Sequence, residues 1–396
     1  MKKLPVSTYI LALAQALNIT IAVISVTISA VVGSMLTIDK SLSTLPYGLQ
    51  FASVMIFTFP AAWIMEKLGR KKVFYLGAAL LFLAGAIGFL AVNINNFYIL
   101  SLAHFILGSY ISIANYYRFA ATDSLNGKYK TSAISAVISG GVLAAFFGPL
   151  IANYLKSVPG FVDFSLCYAS MSIIALLTAC LIYFWRPNNK SITVKNNKHI
   201  IKDKGISSHI LVAIITSSWG YFSMNLLMVQ ASLVMQGICT FDKSSSAIQA
   251  HVLAMFLPSF ITGYFIEKIG LTKFVLSGYL FLCLACAINL AYFDYSFIYF
   301  SLIALGIGWN FMYAGGAALL SKYINTENQY RWQGINDTSI ALCATIGAFL
   351  PAPLFSWIGW KHTNAAILFS TVIITIIATL IMPNSRSKIQ NEVTIL

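Results

Sequence analysis

Arg118 stands inside an apolar stretch, in the run Asn115-Tyr116-Tyr117-Arg118 that closes on Phe-Ala-Ala-Thr-Asp123. A guanidinium in such a place can make charge-assisted hydrogen bonds to a carboxylate or carbonyl of a solute, or it can reach along its own stem to the polar boundary. Two other groups could take up and release a proton: Asp337, near the start of an apolar run, and His251, within one. For His251 the alternatives are a satisfied core histidine and a proton carrier near neutral pH. For Asp337 they are an acid stabilising a helix N-terminus and a residue of proton or gate coupling. Amides and phenols complete the set. Gln15 and Asn18 share one stripe with Ala22, Ser25 and Ser29, while Tyr221, Asn225, Asn310 and Tyr313 lie in the middle of two other apolar runs. Aromatics with amides suit a flat, partly apolar small organic solute.

These residues do not form a catalytic constellation. The chain has no His-Glu-x-x-His, no Gly-x-Ser-x-Gly and no paired carboxylates within an apolar run, patterns that an intramembrane enzyme would need. Nor does a cofactor pattern emerge. Cys283-Leu-Ala-Cys286 has a metal or redox spacing but lies in an uninterrupted apolar run, where packing is the ordinary role of cysteine.

The elements that hold these groups follow from composition. Hydrophobic residues make up 59% of the 396 and charged residues 9%, against roughly a quarter charged in soluble domains. Apolar windows of about 20 residues, enough to cross a bilayer, recur along the whole chain. They predict membrane helices near 7–33, 45–65, 73–92, 98–121, 132–155, 165–185, 209–235, 245–266, 274–293, 296–321, 333–356 and 363–382. The start, Met1-Lys2-Lys3 and an apolar run to about Val32, is too long for a cleaved signal and reads as a retained helix.

A net charge of +14 does not indicate nucleic acid here, because the bases sit in alternate loops. With the N-terminus cytoplasmic, all of the 25 Lys and Arg but Lys40, Lys156, Lys243 and Lys361 fall on that side, the asymmetry of retained cationic loops. The basic stretch 186–208 reads as a cytoplasmic linker that also suits anionic membrane lipids. It divides the chain into 1–185 and 209–382, followed by a polar tail 383–396, with both termini cytoplasmic.

The two parts repeat each other. Ala62-Trp-Ile-Met-Glu66-Lys67-Leu-Gly69-Arg70-Lys71-Lys72 returns as Gly263-Tyr-Phe-Ile-Glu267-Lys268-Ile-Gly270-Leu-Thr-Lys273, at an offset of 201 residues. Gly108 pairs with Gly308 at an offset of 200. Such repeats mark transporters built from two related halves.

This spacing resembles the loop between the second and third helices of the Major Facilitator Superfamily, and Arg118 with Asp123 resembles that family's fourth-helix arginine and terminal aspartate. The family usually has Asp and Arg where this chain has Glu66 and Lys67, which keeps the charges but loses the planar fork of arginine. The resemblance implies an all-α membrane protein of twelve transmembrane helices in two pseudo-symmetric six-helix halves, with helices one, four, seven and ten around a central cavity. It implies a secondary transporter working by alternating access, functional as a monomer in a bacterial cytoplasmic membrane. Glu66, Lys67, Arg70, Asp123, Glu267 and Lys268 are then gate residues, the motif acids meeting the start of helix eleven in the other half. Proton-coupled uptake of a nutrient, vitamin or siderophore is the leading expectation and proton-antiport efflux the alternative. A membrane sensor that does not transport is the reading from another class.

Overall fold

In a bilayer each backbone N–H and C=O must be satisfied within the protein, so long apolar runs become helices. The computed structural model describes residues 4–123, 125, 133, 136–137, 139–186, 208–324 and 329–382. The expected linker, apart from its two end residues, and the expected tail lie outside the described residues. The long helices are α1 (Val6–Leu36), α2 (Leu45–Leu68), α3 (Arg70–Asn93), α4 (Phe97–Ala114), α5 (Gly140–Leu155), α6 (Ser165–Phe184), α7 (Ser208–Met235), α8 (Phe241–Phe256), α9 (Leu271–Ala291), α10 (Tyr295–Tyr323), α11 (Gln329–Phe349) and α12 (Gly359–Ile381).

Among the described residues four of the expected helices are interrupted: the fifth is helical at 136–137, turns at Ser139 and resumes as Gly140–Leu155. The fourth turns at Asn115–Tyr116 and resumes as Tyr117–Ala120. The eighth passes through a 3-10 stretch, Leu257–Phe260, and resumes as Thr262–Ile269 at an angle of 62°. The eleventh breaks at Leu350 and continues as Pro351–Trp357, bent by 45°.

Helix packing follows the repeat. In the first half α1 packs on α5 and α6, α2 on α4, and α3 on α4 and α6. In the second half each of those pairings recurs with helix numbers raised by six: α7 on α11 and α12, α8 on α10, and α9 on α10 and α12. The two most extensive pairings that join the halves are α2 with α11 and α5 with α8. The same operation exchanges them.

The buried apolar residues form two clusters, one within each half. The second also takes in Val23, Val26, Ala30, Tyr47, Ala144 and Ala145 from the first, which makes a seam of side chains that are mostly small. Gly140 and Gly148 let α5 lie on α1, since a Cβ would meet Ala16 at one and Val23 at the other.

The two motif turns are superposable in backbone terms. Gly69 has φ 81° and ψ 149°, Gly270 φ 87° and ψ 148°, a region that side chains with a Cβ disfavour. One pairing of the repeat needs correction. A Cβ on Gly108 would meet Gln50 O and Ser53, and one on Gly306 would meet His251 O and Ala254. Gln50 and Ser53 lie 201 residues before His251 and Ala254, so the counterpart of Gly108 is Gly306 rather than Gly308.

Candidate functional site

Arg118 follows the turn in the fourth helix, where Tyr116 donates its hydroxyl to Thr58 O of α2 at 2.9 Å. The Arg118 side chain is half-buried; its Nε is buried and unpartnered and its guanidinium lies 4.7 Å from the Phe119 ring centroid. Arg118 and Asp337 both lie within electrostatic reach of the Tyr116 and Tyr221 hydroxyls, so the end of the fourth helix, α7 and α11 converge here.

The second half contributes an aromatic wall here. Trp309 and Tyr313 are four residues apart on α10 and therefore share a face. Their rings stack at 5.2 Å and 8°. Tyr221 of α7 meets both edge-on, at 5.1 Å from Trp309 and 5.4 Å from Tyr313. Trp309 Nε1 is buried without a hydrogen-bond partner, a donor whose desolvation is uncompensated until something accepts from it.

Other expected site residues point elsewhere. Asn225 is buried and donates to Ala344 O of α11 at 2.9 Å. Asn310 is buried and donates to Met255 O at 2.7 Å and Ser259 Oγ at 2.6 Å, while Thr262 donates to its Oδ1 at 3.4 Å. Both amides hold the second half together in this conformation. Asn18 is buried and its amide reaches only Gln15, at 3.5 Å; Gln15 itself is partly exposed and Asn115 is half-buried at the turn.

The expected proton carriers part company. His251 is fully buried and its Nδ1 lies 2.7 Å from Leu302 O. A carbonyl can only accept, so Nδ1 carries the hydrogen and the ring ties α8 to α10. Asp337 is exposed, and it lies eight residues after Gln329, where α11 begins, about 12 Å along the axis. It is therefore not an acid of the first turn, where a helix dipole acts.

A buried histidine that the sequence reading passed over is better connected. His104 Nδ1 is 3.0 Å from Gln50 Oε1, which also accepts from Ser25 Oγ at 2.6 Å, and His104 Nε2 is 3.0 Å from Tyr168 Oη. Gln50 Oε1 only accepts, so Nδ1 donates and Nε2 accepts from the tyrosine. This network ties α1, α2, α4 and α6. Its sequence signal was a polar residue on each of four apolar runs, without any sign that they meet.

At the motif face Arg70 clamps Asp123 from Nε to Oδ2 at 2.7 Å and Nη2 to Oδ1 at 3.0 Å. Lys67 lies 3.6 Å over the Trp63 ring and Lys268 5.6 Å from the Tyr264 ring. Glu66 and Glu267 are exposed and make no ion pair or hydrogen bond with a described residue. Toward the opposite face the halves are tied. Lys156, just past α5, pairs with Asp242 of α8, Ser34 donates to Gln236 at 3.0 Å, and Thr44 donates to Phe349 O at 3.1 Å.

The family model described as the Major Facilitator Superfamily matches residues 8–241 and again 220–394. The chain belongs to the Major Facilitator Superfamily. A riboflavin transporter of Brucella anthropi is 31% identical over 363 residues, covering 90% of each chain. An uncharacterised transporter of the superfamily from Bacillus subtilis is 27% identical over 72% of this chain and 70% of its own. Among solved structures a D-xylose–proton symporter superposes with a TM-score of 0.76 over 98% of this chain and all of its own, at 16% identity, a likeness of fold. The superfamily fold accounts for the six-helix repeat and for the multi-pass character.

Proposed function

We propose that this chain carries a flat heteroaromatic solute of the riboflavin kind across a bacterial cytoplasmic membrane by alternating access. The observation that carries this reading is the stacked pair Trp309–Tyr313 with Tyr221 edge-on to both, Tyr221 lying within electrostatic reach of Arg118. An isoalloxazine offers two broad faces for such a wall and carbonyl oxygens for an arginine, and the 31% identical relative bears the name riboflavin transporter.

The gate follows from the same contacts. Among the described residues Glu66 and Glu267 make no ion pair or hydrogen bond, while the halves are tied toward the other face, which supports a conformation open on the side of the motif turns. The distribution of Lys and Arg supports a cytoplasmic motif face and cytoplasmic termini. Asp337, exposed on α11, is the residue we assign to proton coupling; uptake is the direction favoured, and the six-helix halves suffice as a monomer.

The deciding measurement is entry of radiolabelled riboflavin into sealed vesicles carrying the purified protein, driven by an inward proton gradient. Saturable uptake that other flavins inhibit supports the proposal. Absence of flavin entry under both gradient and exchange conditions overturns the substrate assignment, and extrusion under the reversed gradient would favour efflux.

A further inference from the structure

Proline alone does not break a helix in this fold: Pro60 lies within α2, which continues from Leu45 to Leu68. In α8 the corresponding region parts at Leu257–Phe260, around Pro258, and the remainder swings by 62°. What differs is a side chain that holds the parted ends. Asn310 of α10 donates to Met255 O before the break and to Ser259 Oγ within it, and accepts from Thr262 Oγ1 beyond it. Thr262 Oγ1 also lies 3.0 Å from Pro258 O, so its one hydrogen is shared between Pro258 O and Asn310 Oδ1. A buried amide with this placement supplies bonding that the helix ladder has given up. In the first half the side chain that reaches α2 next to Pro60 is Tyr116, which makes a single bond to Thr58 O, and α2 is not interrupted there.

The pin adjoins the aromatic wall. Trp309 precedes Asn310 in the chain, and its ring lies 6.3 Å from that of Phe256, the last residue of α8 before the break. Phe256 also fills the groove at Gly141 of α5 in the other half, where a Cβ would come within 2.8 Å of its ring. Beyond the break, Thr262–Ile269 carries Glu267 and Lys268, and most of its residues are exposed. A small rotation of α10 at Trp309 therefore acts on a loosely packed segment that bears half of the motif charges.

We propose that Asn310 is a positioning residue, the pin of a hinge in α8 through which a solute against Trp309 and Tyr313 sets the angle of the Thr262–Ile269 segment. This rests on the proposed solute site for its trigger, but the hinge itself can be tested without solute. Spin labels at Ser246→Cys and Ile269→Cys, in the otherwise cysteine-free full-length protein in lipid nanodiscs, would stand about 35 Å apart along an unbroken helix and about 5 Å closer at the observed bend. The parent should show the shorter distance. Asn310→Ala should lengthen it by about that difference, because Met255 O then recovers a partner only by straightening. Pro258→Ala, which restores an N–H to the ladder, should lengthen it too and carries the test if Asn310→Ala does not fold. Unchanged distances in the folded variants overturn the hinge. Saturating riboflavin should shift the parent's distance and leave that of Asn310→Ala fixed; riboflavin that binds with no shift overturns the coupling. Failure of the parent to bind riboflavin overturns the flavin trigger, and the hinge is then decided by the solute-free distances.

Discussion

Arg70 and Asp123 meet edge to edge, with Nε–Oδ2 at 2.7 Å and Nη2–Oδ1 at 3.0 Å, and both belong to the first half of the molecule. The pair joins the start of α3 to the chain just beyond the fourth helix. One repeat later Arg70 is replaced by Leu271, so the second half lacks this clamp at the place where its own motif segment swings free.

Arg70→Lys should lower the melting temperature, because an ammonium cannot make two parallel bonds to one carboxylate. The side chains are 26% and 21% exposed, so the loss should be no more than about 1 kcal/mol. Thermal unfolding of Arg70→Lys and Asp123→Asn checks this, and melting curves identical to the parent's would show that the clamp adds no stability.

Lys156 and Asp242 tie α5 to α8 on the face away from the motif turns. Asp242→Asn should increase thiol labelling from that face at Val26→Cys, a seam position buried in the present conformation. Exchanging the charges, Lys156→Asp with Asp242→Lys, should return labelling toward the parent level. Equal labelling in all three would remove the pair from the gate.

Arg118→Ala should weaken riboflavin binding at least tenfold, in line with about 1.5–3 kcal/mol for a hydrogen bond to a charged group. Arg118→Lys should recover only part of it, since the fork is lost. Tryptophan fluorescence titration measures both. An unaltered affinity in Arg118→Ala would place the solute away from the fourth helix.

Asp337→Asn should abolish accumulation against a gradient while leaving riboflavin exchange between the two sides intact, as expected when the proton-linked step is lost but the site remains. His251→Gln should keep gradient-driven accumulation, because His251 is fully buried and bonded to Leu302 O. Gradient-driven uptake in Asp337→Asn, or its loss in a folded His251→Gln, would reverse the assignment.

His104→Ala should cost about 1–3 kcal/mol, the price of leaving a buried polar group unsatisfied, because Tyr168 Oη loses its partner and Gln50 Oε1 keeps only Ser25. Unfolding temperature reports the loss. Restoration by Tyr168→Phe in the same chain would identify the tyrosine hydroxyl as the stranded group.

The amino-acid sequence by itself determined the membrane class, the helices and the repeat. Apolar runs of bilayer length have one way to satisfy their backbone, and Gly69 and Gly270 recur with nearly the same left-handed geometry because the same turn is made twice. It also marked Arg118, Tyr221 and Tyr313 as unusual occupants of such runs. It could not tell that Asn225 and Asn310 turn into their own half, that His104 finds Gln50 and Tyr168, that Gly306 rather than Gly308 faces α8, or that α8 parts while α2 continues. Those outcomes depend on the rotation of each helix about its axis and on which neighbour it meets. Sequence spacing fixes the angle between two residues on one helix, but the angle between helices is set by packing across the whole half.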